Sequence, residues 1–320
     1  MDRRQFGRAM AVLGGAWPIA RALGYDEGAQ KNWGQEASPQ WRRIERSVAG
    51  RLGVAVLDTG SGVLCGHRLD ERFPMCSTFK TLAAARVLAR VDAGDEHLDR
   101  RVVVARADLL AWAPVTSRHV GGMSAARPPE GGSHRGRQAE GGLISVGELC
   151  EAAITVSDNT AANLLLSAVG GPAALTAWLR RLGDTVTRLD RTEPTLNERI
   201  PGDPRDTSTP RAMAHTLRTL MLGDALSTAG RTRLVAWMSA STTGAKRLRA
   251  GVPSDWRVAD KTGTGGLGST NDVGVLWPPH GAPRVVVAYL TECRARGDAR
   301  EAALASVARG VAGSGWTPAA

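Results

Sequence analysis

Ser77-Thr78-Phe79-Lys80-Thr81-Leu82-Ala83-Ala84-Ala85-Arg86-Val87-Leu88 sets a serine and a lysine three residues apart at the head of an almost wholly apolar run. With Val91 the apolar positions leave almost no polar stripe, the pattern of a helix enclosed by its own domain. Ser77 and Lys80 share one side of its first turn, so the amine can reach the hydroxyl, and the helix N-terminus favours negative charge developing there. A serine hydroxyl is a weak nucleophile without such a neighbour. The alternative for the same two residues is an N-cap serine and a solvated lysine.

Upstream, Trp41, Ile44 and Val48 recur with helical spacing. Residues 52–57, followed by Asp58-Thr59-Gly60-Ser61-Gly62, read as strand and turn, with 63–67 returning as the hairpin partner. Downstream, helices are predicted over 145–156, 160–169, 172–182, 209–222 and 228–240. Strand character returns only at 257–261, 273–277 and 284–291, before a last helix over 299–312. The two ends of the chain therefore share one antiparallel sheet, flanked by N- and C-terminal helices, and an all-α lobe is inserted between them. The fold class is α+β with two lobes, an α/β lobe of about 40–74 and 245–315 and an α lobe of about 75–244. Residues 121–142, with 7 glycines and 2 prolines, are expected to be a surface loop inserted in the α lobe.

Two further strings carry chemistry. Ser157-Asp158-Asn159 falls between two predicted helices, where a short connection can push Ser157 and Asn159 into a cleft; its alternative is a plain helix cap. Lys261-Thr262-Gly263-Thr264-Gly265-Gly266 ends a strand, where glycine allows close approach of a substrate backbone and the lysine supplies charge for an acid group; its alternative is an ordinary hairpin turn. Composition alone would produce S-x-x-K roughly 0.2 times in this chain, a weak signal by itself. The chain has only 4 lysines against 37 arginines, and two of the four lie in these strings. All three strings in this order are a strong signal.

Composition narrows the remaining classes. A chain of 320 residues buries a core without staples. Its formal charge is +10, but the arginines are scattered and form no basic block interleaved with aromatics, so a solvated arginine-rich surface is expected rather than a nucleic-acid interface. Cys65, Cys76, Cys150 and Cys293 form no C-x-x-C pair, and the six histidines no H-x-H or H-E-x-x-H cluster, which argues against a metal centre. Arg3-Arg4 before Phe6, a mildly apolar Gly/Ala-rich run and the small-x-small site Ala20-Arg21-Ala22 are expected to be a twin-arginine signal peptide over 1–22, leaving 23–320 as one domain. No later run approaches the ~20 apolar residues of a membrane span.

The three strings together resemble those of class A serine β-lactamases, and the resemblance extends over roughly residues 40–315. It implies the family's two-lobed fold with the active site between the lobes, and hydrolysis of penicillins and cephalosporins through an acylated Ser77, with no cofactor and no metal. Arg191-Thr192-Glu193-Pro194-Thr195-Leu196-Asn197 resembles the family's omega loop, in which Glu193 and Asn197 would hold the deacylating water and Arg191 and Asp206 would close the neck. The backbone N–H groups of Ser77 and Thr264 would form the oxyanion hole. Ser157 would relay a proton to the leaving nitrogen, Asn159 would bind the substrate's side-chain amide, and Lys261, Thr262, Gly263 and Thr264 would line the cleft, with Lys261 and Thr264 on the substrate carboxylate. Thr270 stands where many members carry an arginine for that carboxylate, and Arg247 is the candidate replacement. Trp112 matches an aromatic gate beside the cleft; a core tryptophan is the alternative. Gly265 opposite Cys76, and Ala84 opposite Cys150, leave two of the family's disulfides without a partner. The resemblance also implies a monomer in the periplasm or secreted. The runner-up activities are a D-alanyl-D-alanine peptidase and a β-lactam sensor that stays acylated, both disfavoured by Glu193 and Asn197.

Overall fold

The computed structural model describes residues 39–121, 141–198 and 200–313; the expected leader and residues 122–140 of the expected insertion lie outside the described residues. The chain opens with α1 (Pro39–Val48), β1 (Arg51–Asp58) and β2 (Leu64–His67), then a two-residue strand β3 (Phe73–Pro74) and a 3-10 turn over Cys76–Thr78 that runs into α2 (Phe79–Asp92). Next come β4 (Arg101–Ala105), α3 (Thr116–Gly121), β5 (Gly141–Ser145), α4 (Val146–Thr155), α5 (Asn159–Ala168) and α6 (Gly171–Arg181). After the loop that carries Glu193 follow β6 (Thr207–Ser208), α7 (Pro210–Met221), α8 (Thr228–Ser239) and the short α9 (Leu248–Gly251). The chain closes with β7 (Arg257–Thr264), β8 (Thr270–Trp277), β9 (Arg284–Thr291) and α10 (Gly297–Ala312).

The main sheet is antiparallel in the order β2-β1-β9-β8-β7, so the first and last strands of the chain meet at its centre. Both of its faces are buried. Along β9, Val285, Val287 and Tyr289 join the core shared with the helical lobe, while Val286, Ala288 and Leu290 join a second core under α1 and α10. That is why these strands read as continuous apolar runs and not as alternation. Helix α2 is enclosed on all sides, with Phe79 through Ala85, Val87 and Leu88 buried. Each large apolar side chain buried there contributes about 1.5–3 kcal/mol, which fixes α2, and with it Ser77 and Lys80, as the axis of the helical lobe.

The structure corrects the sequence reading at several borders. Strand β7 runs three residues beyond Lys261, because Thr262, Gly263 and Thr264 pair with Asp272, Asn271 and Thr270, so Lys261-Thr262-Gly263 is strand and not turn. The expected 121–142 loop loses its last two residues to β5, where Gly141 and Gly142 pair with Ala105 and Val104. Glycine at 142 answers close packing: a Cβ there would stand 1.9 Å from the His119 carbonyl oxygen on α3. The ribbons β3/β6 and β4/β5 were not anticipated, since each joins segments far apart in sequence. Among the described residues no single helix is long and apolar enough to cross a membrane.

Candidate active site

Ser77 lies in the 3-10 turn that precedes α2, and it caps nothing. The cap position of α2 is Thr78, without a side-chain bond, and Ser77 Oγ instead donates to Glu193 Oε1 at 3.2 Å. Lys80 is no solvated charge. Its side chain is fully buried, with Nζ 2.9 Å from the Ser157 carbonyl oxygen, 3.3 Å from Ser157 Oγ, 2.5 Å from Asn159 Oδ1 and 3.1 Å from Glu193 Oε1. Burial pulls the Lys80 ammonium below its ordinary range, against the opposing pull of the Glu193 carboxylate.

The turn Ser157-Asp158-Asn159 divides its labour. Asp158, wholly buried, is the cap of α5, accepting from Ala161 N at 2.9 Å, and it also accepts from Val115 N, Thr116 N and Thr116 Oγ1 at 3.0 Å each. With the aspartate committed to the helix and to the loop before α3, Ser157, at φ 60°, and Asn159 are left facing Lys80. Ser157 Oγ also lies 2.9 Å from Lys261 Nζ, so one hydroxyl stands between two lysine amines. Lys261 is fully buried at the edge strand β7, and its amine is pushed well below the usual lysine range, first by burial and then by the charges of Lys80 and Arg247. Trp112 is no core residue: it is 56% exposed, its indole Nε1 donates to the Val156 carbonyl and its own carbonyl accepts from Asn159 N, both at 2.9 Å.

The Glu193 loop is built as a closed purse. Arg191 Nε donates to Asp206 Oδ2 at 2.6 Å, and the other oxygen of that buried carboxylate accepts from the backbone N–H groups of Asp190 and Arg191 at 2.8 and 2.9 Å. The loop's inner wall is pinned by Asn163 of α5, whose Oδ1 accepts from Glu193 N at 2.9 Å and whose Nδ2 donates to Glu193 O at 2.8 Å. Asn163 was not singled out from sequence, although it stands four residues after Asn159 and so shares its helix face. Asn197 donates through Nδ2 to Glu193 Oε2, while its Oδ1 is buried with no protein partner. The Asn197 carbonyl accepts from Gly266 N at 3.0 Å, which fastens the loop to the end of β7.

Strand β7 closes the site from the other side. A Cβ on Gly263 would stand 3.2 Å from Ser77 N and 2.8 Å from the Met75 carbonyl oxygen, so glycine lets the strand lie against the backbone of the nucleophile turn. Thr262 turns its hydroxyl away, onto Thr243 Oγ1 at 2.6 Å, so only its backbone belongs to the cleft. Arg247, 7% exposed, precedes α9 and reaches under the strand: Nη1 donates to the carbonyls of Gly263 and Asn271 at 2.9 and 2.8 Å, and Nη2 to Thr264 Oγ1 at 2.9 Å. A second guanidinium, Arg300 of α10, absent from the sequence reading, donates through Nε to Thr270 Oγ1 at 3.0 Å. Cys76, Cys150 and Cys293 are buried free thiols. Burial, then the nearby Glu193 charge, pushes the Cys76 thiol up to about 12. Among the described residues no cluster of three or more His, Cys, Asp or Glu side chains stands ready to hold a metal ion.

A serine, two lysines, a buried carboxylate and a shared hydroxyl thus converge where the helical lobe meets β7. Such a set can acylate a hydroxyl, protonate a leaving group and deliver water to the ester. Comparison with known proteins gives the same direction. The sequence matches the Beta-lactamase enzyme family over residues 37–313. It is 46% identical over 308 residues to β-lactamase L2 of Stenotrophomonas maltophilia, covering 95% of each chain. It is 44% identical over 266 residues to β-lactamase CTX-M-8 of Citrobacter amalonaticus, covering 83% of this chain and 84% of the relative. Among solved structures, an ancestral (GNCA) class A β-lactamase superposes with a TM-score of 0.77 at 61% identity, covering 84% of this chain and 96% of that one.

Proposed function

The chain belongs to the class A β-lactamase family and hydrolyses β-lactam rings, conferring resistance to these antibiotics, and from that premise we propose that Ser77 is the residue acylated and Glu193 the base that clears the ester. The observation that carries this assignment is the Ser77 Oγ to Glu193 Oε1 contact of 3.2 Å, with Lys80 Nζ on the same carboxylate oxygen.

Ser77 Oγ attacks the lactam carbonyl as its proton leaves towards Glu193, whose Oε1 it already touches, or towards Lys80, whose Nζ sits on that same carboxylate oxygen. The developing oxyanion is met by the N–H groups of Ser77 and Thr264, donors set in place before charge appears. The C–N bond breaks and the lactam nitrogen takes a proton from Ser157, whose hydroxyl is replenished from the lysines on either side. Deacylation has one base. Water donates one proton to Glu193 and lies against Asn197 Oδ1; its oxygen attacks the ester carbonyl, and Ser77 Oγ leaves with the proton Glu193 returns. A β-lactam sensor that stays acylated has no use for a carboxylate in that place.

Recognition follows from the free valences. Asn159 gives its oxygen to Lys80, which leaves its amide N–H groups for the carbonyl of the substrate's side chain. Lys261, Thr264 and Arg247 form a cationic floor for the substrate carboxylate, and Trp112 makes the outer wall. Penicillins and cephalosporins, with a carboxylate beside the lactam and an acylamino group opposite, fit this polarity. We also propose export to the periplasm by the twin-arginine route with removal of residues 1–22, and action as a monomer.

Ser77→Ala tests the assignment. The purified variant is expected to give no nitrocefin hydrolysis above background and no mass increment with benzylpenicillin, whereas the wild type carries the increment on the Ser77 peptide. Substantial turnover by the variant overturns the assignment.

A further inference from the structure

Behind the cleft, on the face of β7 opposite Lys261, two aspartates are buried together. Asp260 pairs in register with Gly274, and Asp272 with Thr262, so the two carboxyls are diagonal neighbours on one face of the ladder. Both are wholly inaccessible. Asp260 Oδ1 accepts from Arg249 of α9, and Asp272 Oδ2 accepts from Leu248 N, the first residue of that helix, at 3.0 Å. The remaining oxygens, Asp260 Oδ2 and Asp272 Oδ1, find no donor elsewhere, and the two side chains lie within hydrogen-bonding reach of each other. Two carboxylates cannot both stay ionised there with a single guanidinium directly on them.

We propose that Asp260 and Asp272 share one proton and act as a positioning pair that holds Arg247 and Lys261 in place for the substrate carboxylate. The connection is short. Leu248, anchored by Asp272, follows Arg247 in the chain, and Asn271, which precedes Asp272, offers its carbonyl to Arg247 Nη1. Lys261 follows Asp260 on β7 and points to the other face. The charged groups around the pair are Arg249 and Arg247 at the start of α9, Lys261 on β7, and Glu301 of α10, 3.5 Å from Arg247 Nε. Burial raises both carboxyls, and for Asp272 the charge of Asp260 adds to it, while the surrounding cations pull the other way. Loss of the shared proton sets two anions against each other and strains the Leu248 anchor. Arg247 then shifts against β7, and KM for an anionic substrate rises.

The positioning role rests on the function proposed for Arg247 and Lys261; the shared proton does not, and the two are tested separately. The difference infrared spectrum of wild-type enzyme at neutral pH is expected to show the C=O stretch of a buried protonated carboxyl that both Asp272→Asn and Asp260→Asn remove. Its absence from the wild type, or its survival in both variants, overturns the shared proton. Asp272→Asn supplies a permanent donor to Asp260 and an acceptor to Leu248. At pH 7 its KM for benzylpenicillin should stay within about threefold of wild type, with a weaker rise on the alkaline side. Asp272→Ala removes the anchor and should raise KM roughly tenfold with kcat little changed, as expected for a lost buried hydrogen bond. If Asp272→Asn reproduces the wild-type KM profile at every pH while the band is lost, the positioning role is overturned and the proton pair stands alone.

Discussion

Replacing Glu193 by glutamine should convert the enzyme into one that traps its substrate. The amide keeps the shape of the side chain and the bonds to Asn197 and Asn163, but it cannot accept a proton. General-base catalysis is worth about 10² to 10⁴ in rate, so deacylation should slow about 10³-fold, about 4 kcal/mol of barrier. Acylation should suffer less. Lys80 shares the oxygen of Glu193 at 3.1 Å, and that carboxylate is what raises the lysine against the effect of burial. Without the anion, Lys80 sheds its proton more readily and becomes a base for Ser77, so one step keeps a proton acceptor while the other loses its only one. Breaking a buried pair outright costs about 3–5 kcal/mol. Here a neutral Lys80, still bound to the Ser157 carbonyl and Asn159 Oδ1, keeps the fold intact. Stopped-flow mixing with nitrocefin should give a burst of one equivalent followed by a slow steady state, and intact mass spectrometry should show the ester for minutes. A variant that clears the adduct within tenfold of the wild-type rate, or slows acylation as much as deacylation, refutes this asymmetry between the two steps.

Four further outcomes follow from the geometry. Arg191→Ala removes the cation from Asp206, which is 1% exposed, and should lower unfolding stability by about 3 kcal/mol, the order expected for an uncompensated buried charge, read by urea titration. Gly265→Ala puts a Cβ 2.6 Å from Cys76 Sγ and should cost about 1–3 kcal/mol as an overpacked site; Cys76→Ala in the same chain should recover most of it in a double-mutant cycle. Because burial and two neighbouring cations hold Lys261 well below the ordinary range, kcat/KM for anionic penicillins should begin to fall on the alkaline side at a pH below the ~10.4 of free lysine. Asp272 has a raised folded-state pKa, so its contribution to stability is full below the unfolded value of ~3.9 and declines as pH rises towards the folded value. The Tm advantage of Asp272→Asn over wild type should therefore widen from pH 4 upwards until that point.

Much of this molecule was legible in the chain because its chemistry is local. Ser77 and Lys80 share a helical turn, and the continuous apolar runs of β1 and β9 announce a sheet buried on both faces. What escaped depends on contacts across the fold. Asn163 reads as an unremarkable helix residue until Glu193, thirty positions away, supplies both of its partners. Arg300 touches the site through Thr270, and Thr262 looks like a cleft residue until the pleat of β7 turns it towards Thr243. The short ribbon β4/β5 joins Arg101–Ala105 to Gly141–Ser145, segments far apart in the chain, so no local periodicity could reveal it. Even Asp158, whose capping role was foreseen as the plain alternative, proves to be the reason its two neighbours are free to face the lysines.

The wall that meets an incoming antibiotic is bolted down at two points. Trp112 gives its indole N–H to Val156 and its carbonyl to Asn159, residues on either side of Ser157. Any change that moves the ring to admit a bulkier drug therefore also pulls on the hydroxyl that protonates the leaving group. Adaptation at this position is a trade between breadth of spectrum and turnover, and broadening by way of the wall calls for a second substitution that re-seats the Ser157 turn.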